Sequence, residues 1–523
     1  MFSYYSNLPL TYRLPLTMDY TRFEWRNVEP STSSPPIWQR DIDECEHFYT
    51  ALARLYKASG RSFFHVTGHL SLNITPPSPG DDADELVNAA LAKAWLALRK
   101  RHPAIASQTK WEPKLQTWVK EYNASTDGWV EETLVHVTNG QTGVEFANAD
   151  PPAPKPLTLF VLSPRQEGGG TSVRRDLVLR SPHDIIDGVG TLHLLNNFAR
   201  LLSETLLAGG EVDVDGDEVS RLSPAYRVAA GVPPDMAEQA KKRLAELDSV
   251  YAPAEQTANA PEPIGLPYKK GSLLPGKHQR VELVLSKEES SQIIAAAKKL
   301  GATVTHVFHA AIALVLRDRQ ERSSAPRRVQ YINYILRDER ASCKPPFNNG
   351  RLHPAGVLHS VSSGRLVVDM TVPSEFATQT DAENKGSFLA VVQQLRDFYN
   401  RVRDDKQHYA LVPYIWERST PQLPQPTPEP ESLPVPPPKE LGAASISSMG
   451  RIDSIMPPSY GAVELHSPWV TGEELGAGVG TFLGTFRGEL AFSAAYNDAW
   501  HDREGAEEFL RQCLGVVRSG LGL

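Results

Sequence analysis

Arg180-Ser181-Pro182-His183-Asp184-Ile185-Ile186-Asp187-Gly188 lies between a run that reads as a buried strand and one that reads as an amphipathic helix. The preceding run, Arg174-Arg175-Asp176-Leu177-Val178-Leu179-Arg180, has the composition of a strand aimed at this turn. After Gly188, apolar Leu192, Leu195, Phe198, Leu202 and Leu206 recur every three or four residues, with Asn196, Asn197 and Arg200 off that stripe. Such spacing predicts a helix packed on a sheet. A histidine held between two rigid elements is well placed for chemistry. Its unperturbed pKa lies near neutrality, so it can take a proton from a hydroxyl and return it later. Asp187 reads as a buried ion-pair partner. Gly188 reads as a residue that takes positive φ or lets another backbone approach. A His and an Asp four apart also arise by chance, so the weight rests on the surroundings.

The bulk of the chain narrows the options. At 523 residues it exceeds one ordinary core. Hydrophobic residues at 41% and charged residues at 22% suit a globular protein. A net charge of −8 argues against a nucleic-acid partner, which needs concentrated Lys and Arg. No segment reaches the apolar length needed to cross a bilayer, so no membrane partner is expected. Residues 1–18 lack the basic cap and apolar stretch of a secretory signal. Cys45, Cys343 and Cys513 stand far apart without metal-type spacing, so no metal is expected and a reduced, cytoplasmic location fits.

Two parts of the chain share one order of elements. In the first, a strand over 63–72 is followed by a helix over 84–98, with Leu86, Ala90, Ala94 and Leu98 at spacing four. In the second, Val281-Glu282-Leu283-Val284-Leu285 alternates as a strand, and Ser286 with Glu289 forms a capping box. Gly301 ends that helix, and Thr303 or Thr305 opens a very apolar one through Leu316. The division expected is an N-terminal lobe over 1–210, an interlobe crossover over 211–277 with a short charged helix near 234–247, and a C-terminal lobe over 278–523. A proline-dense stretch, 421–438, reads as an extended exposed loop.

Beyond the HxxxDG turn, four segments carry a resemblance. They are Arg99-Lys100-Arg101-His102-Pro103-Ala104-Ile105, Gly301-Ala302-Thr303-Val304-Thr305 leading into Ala310-Ala311, the stretch from Ala444 to Asp453, and Glu489 to Asn497 followed by an acidic helix. In this order they resemble the condensation-domain, BAHD and alcohol-acetyltransferase superfamily. That resemblance implies an α/β fold of two chloramphenicol-acetyltransferase-like lobes, each a mixed β-sheet packed with helices, with the active-site tunnel between them. Pro182 stands where peptide-forming condensation domains carry a first histidine. The DFGWG segment of plant BAHD enzymes is absent, and Ser447-Ser448-Met449-Gly450 is its nearest counterpart. The combination is most similar to the fungal trichothecene 15-O-acetyltransferase branch.

The resemblance implies an O-acetyltransferase of secondary metabolism, working as a monomer. Acetyl-CoA is its co-substrate, no cofactor is tightly bound, and a hydroxylated small molecule of terpenoid or polyketide type is the acceptor. It makes His183 the general base. It has Asp187 and Gly188 support the turn, with Arg337, which follows a C-lobe strand, as the partner of Asp187. Ser447 or Ser448 is the candidate oxyanion donor. A longer acyl-CoA or carrier-bound donor, or a binding module without catalysis, are the competing readings. His65, His69, His306, His309, His353 and His359 read as packing or surface residues. The glycine-rich run 478–484 lacks the βαβ context of a dinucleotide loop.

Overall fold

A strand covered on both faces has few positions open to water, and Val173–Ser181 is buried along nearly its whole length. A computed structural model of the chain describes residues 20–28, 35–76, 82–165, 172–208, 218–234, 236–250, 260–427 and 433–523. Expectations for residues 1–18, for the acidic start of the crossover (211–217) and for the middle of the proline-dense loop (428–432) lie outside the described residues.

Val173–Ser181 pairs antiparallel with Val66–Ile74 on one side and Thr158–Leu162 on the other. They are the centre of a six-stranded sheet that ends in Leu134–Val137 at one edge and in Val463–Gly472 and Ser459–Tyr460 at the other. Helices Ala83–Arg101 and Gly188–Ala208 pack on it, joining Leu91, Leu98, Leu195 and Phe198 to Leu70 and Leu177 in one core. The second lobe has a four-stranded sheet in the order His278–Val284, Glu489–Asn497, Val479–Phe486, Ala444–Arg451. Its core is built around Val304–Asp318, with Asp381–Asp404 and Arg503–Leu521 alongside. The mixed α/β, two-lobed architecture is the one expected.

Local signals behave as their chemistry dictates. Thr303 and His306 form a reciprocal capping box at the start of the apolar helix, and Gly301 closes the preceding one with φ +64°. Ser286 accepts from the Glu289 N–H at 3.2 Å, but the Glu289 carboxylate goes to Arg518 instead of completing a box. Asn196 and Asn197 are buried, not solvent-facing, because their helix is also covered by the segments carrying Tyr460 and Arg351. Tyr460 donates to Asn196 Oδ1 at 2.6 Å, and Asn197 donates to the Arg351 carbonyl at 2.8 Å. The described part of 421–438 has no helix or strand. It is nevertheless tied down, since Arg54 donates to the Pro424 carbonyl at 2.9 Å and Val435 packs against an aromatic cluster. Among the described residues no single helix is long and apolar enough to cross a membrane.

The C-terminal lobe also donates a strand to its neighbour. Val463–Gly472, from the expected C-terminal lobe, pairs antiparallel with Val66–Ile74 in the N-terminal sheet. The next strand, Val479–Phe486, returns to the C-terminal sheet. The two sheets are therefore stitched together beside the His183 turn.

A buried ion cluster props that turn from below. Glu46 accepts from both terminal nitrogens of Arg40, each at 2.7 Å, and from Lys120. Lys120 also donates to the Asp184 carbonyl inside the turn. Burial alone would raise the Glu46 pKa, but Arg40 and Lys120 outweigh it and hold it at about 2. The stability Glu46 contributes is thus complete above the ordinary carboxylate range and lost as pH falls toward that value. Glu46→Gln strands two buried cations and is expected to cost about 3–5 kcal/mol. Urea unfolding at pH 7 measures it; a loss under about 1 kcal/mol would contradict this role.

Candidate active site

The turn is closed by the carboxylate of Asp187. Its main-chain carbonyl accepts from Thr191 N at 2.9 Å and its Oδ1 from Gly190 N at 2.7 Å, so it caps the helix that starts at Gly188. Oδ1 also accepts from Arg340 at 3.0 Å, and Oδ2 accepts from Leu358 N at 2.8 Å. Burial pushes this carboxyl up, but Arg340, then His359, pull it below its ordinary value. Ile185 and Ile186 point into the N-terminal core. Each contributes about 1.5–3 kcal/mol of burial that anchors the turn.

Arg337 is not the partner of Asp187. Leu336–Asp338 is a strand, and alternation puts Arg337 on the same side as Glu339, whose Oε1 lies 3.0 Å from its Nε. The chain then leaves the strand in a tight helical turn, Arg340–Ser342, which carries Arg340 back to Asp187. Arg337 instead lines the cavity described below. Gly188 is also not the position that demands glycine. A Cβ there would meet Met449 Cε at 3.6 Å, an ordinary contact, whereas at Gly190 it would lie 2.1 Å from the Pro354 carbonyl.

His183 sits on the turn with its Nδ1 buried against the main chain of His183 and Ile186, leaving Nε2 as the ring nitrogen toward the cavity. Burial, then the neighbouring His359, pushes its pKa down to about 3. The imidazole is therefore neutral near pH 7 and carries a free lone pair. Its ring stacks on Tyr49, with centroids 3.8 Å apart and planes at 9°. His359 stands 5.3 Å away, centroid to centroid, and its Nε2 meets the Tyr49 hydroxyl at 2.7 Å.

The cavity holds about 570 Å³ and draws its walls from both lobes, within the usual range for a small-molecule site. Tyr49, Phe64, His183 and Val189 line it from the N-terminal lobe, and Thr305, His306, Arg403 and Ser445 to Gly450 from the C-terminal lobe. Val470 to Gly472 of the donated strand complete it. Ser447 and Ser448 both reach this cavity; Thr305 donates to the Ser448 oxygen at 2.9 Å. The run 478–484 mostly forms the strand Val479–Phe486, not a nucleotide loop. Among the described residues no His, Cys, Asp or Glu group is arranged to hold a metal.

Two histidines whose spacing reads as packing or surface, His306 and His359, belong to this cavity, and so does Tyr49. The Tyr49 signal was faint, because a tyrosine in the helix Glu44–Tyr56 is ordinary core composition. His359 lies in a three-residue strand, His359–Val361, whose pairing with Leu336–Asp338 depends on the tertiary fold.

Two α/β lobes bridged by a shared strand, with the His183 turn at their junction, have the chloramphenicol-acetyltransferase-like fold of the following solved structures. TRI3 trichothecene 15-O-acetyltransferase from Fusarium sporotrichioides superposes with a TM-score of 0.73, at 15% identity, over 97% of this chain and 100% of that one. The first condensation domain of the calcium-dependent antibiotic synthetase gives 0.60 at 14% identity, over 92% of this chain and 96% of that one. The epimerization domain from the third module of tyrocidine synthetase B gives 0.55 at 12% identity, over 95% and 100%. No family model and no curated sequence matches the chain.

Asp187→Asn removes the charge that faces buried Arg340 and is expected to cost about 3–5 kcal/mol by denaturant unfolding at pH 7. A well-folded variant of wild-type stability would refute the structural role of the carboxylate. Gly190→Ala forces a methyl into the Pro354 carbonyl and should lower the melting temperature, while Gly188→Ala should be tolerated. Equal melting temperatures for the two variants would overturn that assignment.

Proposed function

We propose that the chain is an acetyl-CoA-dependent O-acetyltransferase whose acceptor is a hydroxyl of a small, fairly apolar secondary metabolite of terpenoid or polyketide type. The observation that carries this reading is the neutral His183 ring, with one nitrogen open to a cavity walled by both lobes. Two substrates must meet at such a base, and a junction of two lobes offers a separate approach to each. Arg337, paired with Glu339, and Arg403, paired with Asp404, present guanidinium groups on the C-terminal wall, which suits an anionic donor such as CoA. The apolar N-terminal wall of Tyr49, Phe64 and Val66 suits the acceptor.

In this reaction Nε2 of His183 removes the hydroxyl proton as that oxygen attacks the thioester carbonyl carbon. The carbonyl π electrons move to oxygen, giving a tetrahedral oxyanion. Ser447 or Ser448 is the candidate donor to that oxyanion. Collapse reforms the carbonyl and breaks the carbon–sulfur bond, and the imidazolium returns its proton to the thiolate of CoA. No acyl-enzyme forms. Base catalysis of this kind supplies about 10²–10⁴-fold, and alignment of the two substrates supplies more.

The test is thiol release from acetyl-CoA with a panel of terpenoid and polyketide alcohols. His183→Ala is expected to reduce turnover by about 10²–10⁴-fold. Turnover indifferent to this change would favour a binding module, and preference for hexanoyl-CoA or a carrier-bound acyl group would reassign the donor. Because His183 is held neutral, kcat/KM should stay flat with falling pH through the ordinary histidine value of about 6.5. A half-maximal rate at that value would contradict the depressed basicity.

A further inference from the structure

The C-terminal wall of the cavity carries two side chains whose hydrogen-bonding polarity is fixed from behind. His306 and Tyr399 both line it, from helices Val304–Asp318 and Asp381–Asp404, with ring centroids 4.9 Å apart. The Thr303 N–H donates to His306 Nδ1 at 3.3 Å, so that nitrogen holds a lone pair. Burial, then Arg396 and Arg403, pushes the His306 pKa down to about 4. The ring is therefore neutral at pH 7, and its one proton sits on Nε2.

Tyr399 is fixed through a chain that runs into the core of the lobe. Its hydroxyl lies 3.1 Å from His309 Nδ1, and His309 Nε2 lies 2.9 Å from the Tyr331 hydroxyl. The Tyr331 hydroxyl and the Asn333 amide each reach the Ala444 carbonyl at 2.8 Å, and Asn333 Nδ2 also donates to the Tyr331 oxygen. Asn333 cannot be turned round, because its Oδ1 accepts from the Tyr334 N–H at 2.8 Å. A carbonyl only accepts, so the Tyr331 proton goes to Ala444. His309 must then donate to Tyr331 from Nε2. Burial, then His306, holds the His309 pKa at about 3, so this ring is neutral and its Nδ1 has the lone pair. The Tyr399 proton goes there. Every contact in the chain has one proton, whereas the reverse order would set the Tyr331 and Ala444 oxygens against each other with none between them. Tyr399 is left with only the lone pairs of its oxygen to offer the cavity.

We propose that His306 and Tyr399 recognise the amide groups of a pantetheine arm, His306 Nε2–H donating to an amide carbonyl and the Tyr399 oxygen accepting from an amide N–H. One donor beside one acceptor complements a chain that carries secondary amides, and such an arm is common to CoA and to a phosphopantetheinylated carrier protein. Arg403 follows Tyr399 by one helical turn and lines the same cavity, so the arm and a phosphate end would lie along one wall. The chain behind Tyr399 ends on Ala444, the first residue of the strand that carries Ser447 and Ser448. The site for the arm and the candidate oxyanion donors thus share one support. This inference rests on the acyltransferase reading for the identity of the ligand; the polarity of the two side chains is a property of the folded protein alone.

The test is calorimetric binding, to the full-length protein, of CoA and of a CoA analogue with ester oxygens in place of its amide N–H groups. Wild type is expected to bind CoA about three- to tenfold more tightly than the analogue, the worth of one hydrogen bond. Tyr399→Phe should lose that preference. His306→Leu should weaken CoA about three- to tenfold, and His306→Gln, which returns an N–H near the place of Nε2, should recover most of it. Nitrogen NMR of the imidazoles, assigned with His306→Gln and His309→Gln, should show His306 and His309 both protonated at Nε2. CoA affinity equal in wild type, Tyr399→Phe and His306→Leu would overturn the proposal, and so would a His309 protonated at Nδ1. If Tyr399→Phe does not fold, the His306→Leu and His306→Gln pair decides. A phosphopantetheinylated carrier protein that binds where CoA does not, with the same losses in the variants, would support the site and reassign the donor. A wild type that binds neither, with the tautomers as expected, would remove the donor reading and the recognition site with it.

Discussion

A carboxylate with no access to water must be matched on every side, and Asp187 is where this molecule meets that demand. Its partners are Arg340 and the Leu358 N–H from the C-terminal lobe and the Gly190 N–H from its own helix. Taking such a charge out of water costs several kcal/mol, so these bonds are what the buried position requires. The shape of the His183 turn and the seating of one lobe on the other are therefore a single constraint. Gly190 belongs to it too, because the 338–358 segment comes close only where no side chain intervenes.

The same burial sets the chemistry. The residues that shelter Asp187 also shelter His183, whose imidazole is kept uncharged by lack of water and by the adjacent His359. Beneath the turn, Lys120 joins the Asp184 carbonyl to the Arg40–Glu46 pair. The loop is thus fixed from two directions, by charge below and by charge across the lobe junction. The cavity can then be mostly apolar without letting the turn collapse into it.

The strand, turn and helix around His183 were legible in the sequence because their signals are local: an apolar run, a cap and a stripe at helical spacing. The need of Asp187 for an arginine was legible as well, from the cost of burying a lone carboxylate. Which arginine was not. Arg337 and Arg340 are three residues apart, and only the direction in which the chain leaves Leu336–Asp338 separates them. His359 escaped notice for a similar reason, since three residues of strand carry no pattern and its neighbours come from the helix Glu44–Tyr56 and the Asp187 turn. Gly188 stood out as part of a motif, while the steric demand falls two residues on and depends on a carbonyl from the other lobe. Asn196 and Asn197 lie off the apolar stripe yet are buried, because helical spacing reports one face and this helix is enclosed on more than one. The overall pattern is that contacts within about one element could be read, and contacts between lobes could not.

The donated strand has a consequence for how the protein is made. Val66–Ile74 is synthesised early, yet its partner Val463–Gly472 leaves the ribosome near the end of the chain. At ordinary elongation speeds that interval is roughly 20–80 s, during which one border of the nascent sheet has no neighbour to bond. Such a border invites pairing with other nascent chains. The same geometry means that the N-terminal half cannot be cut away and kept as a working module, since its sheet is finished by a strand from the C-terminal half.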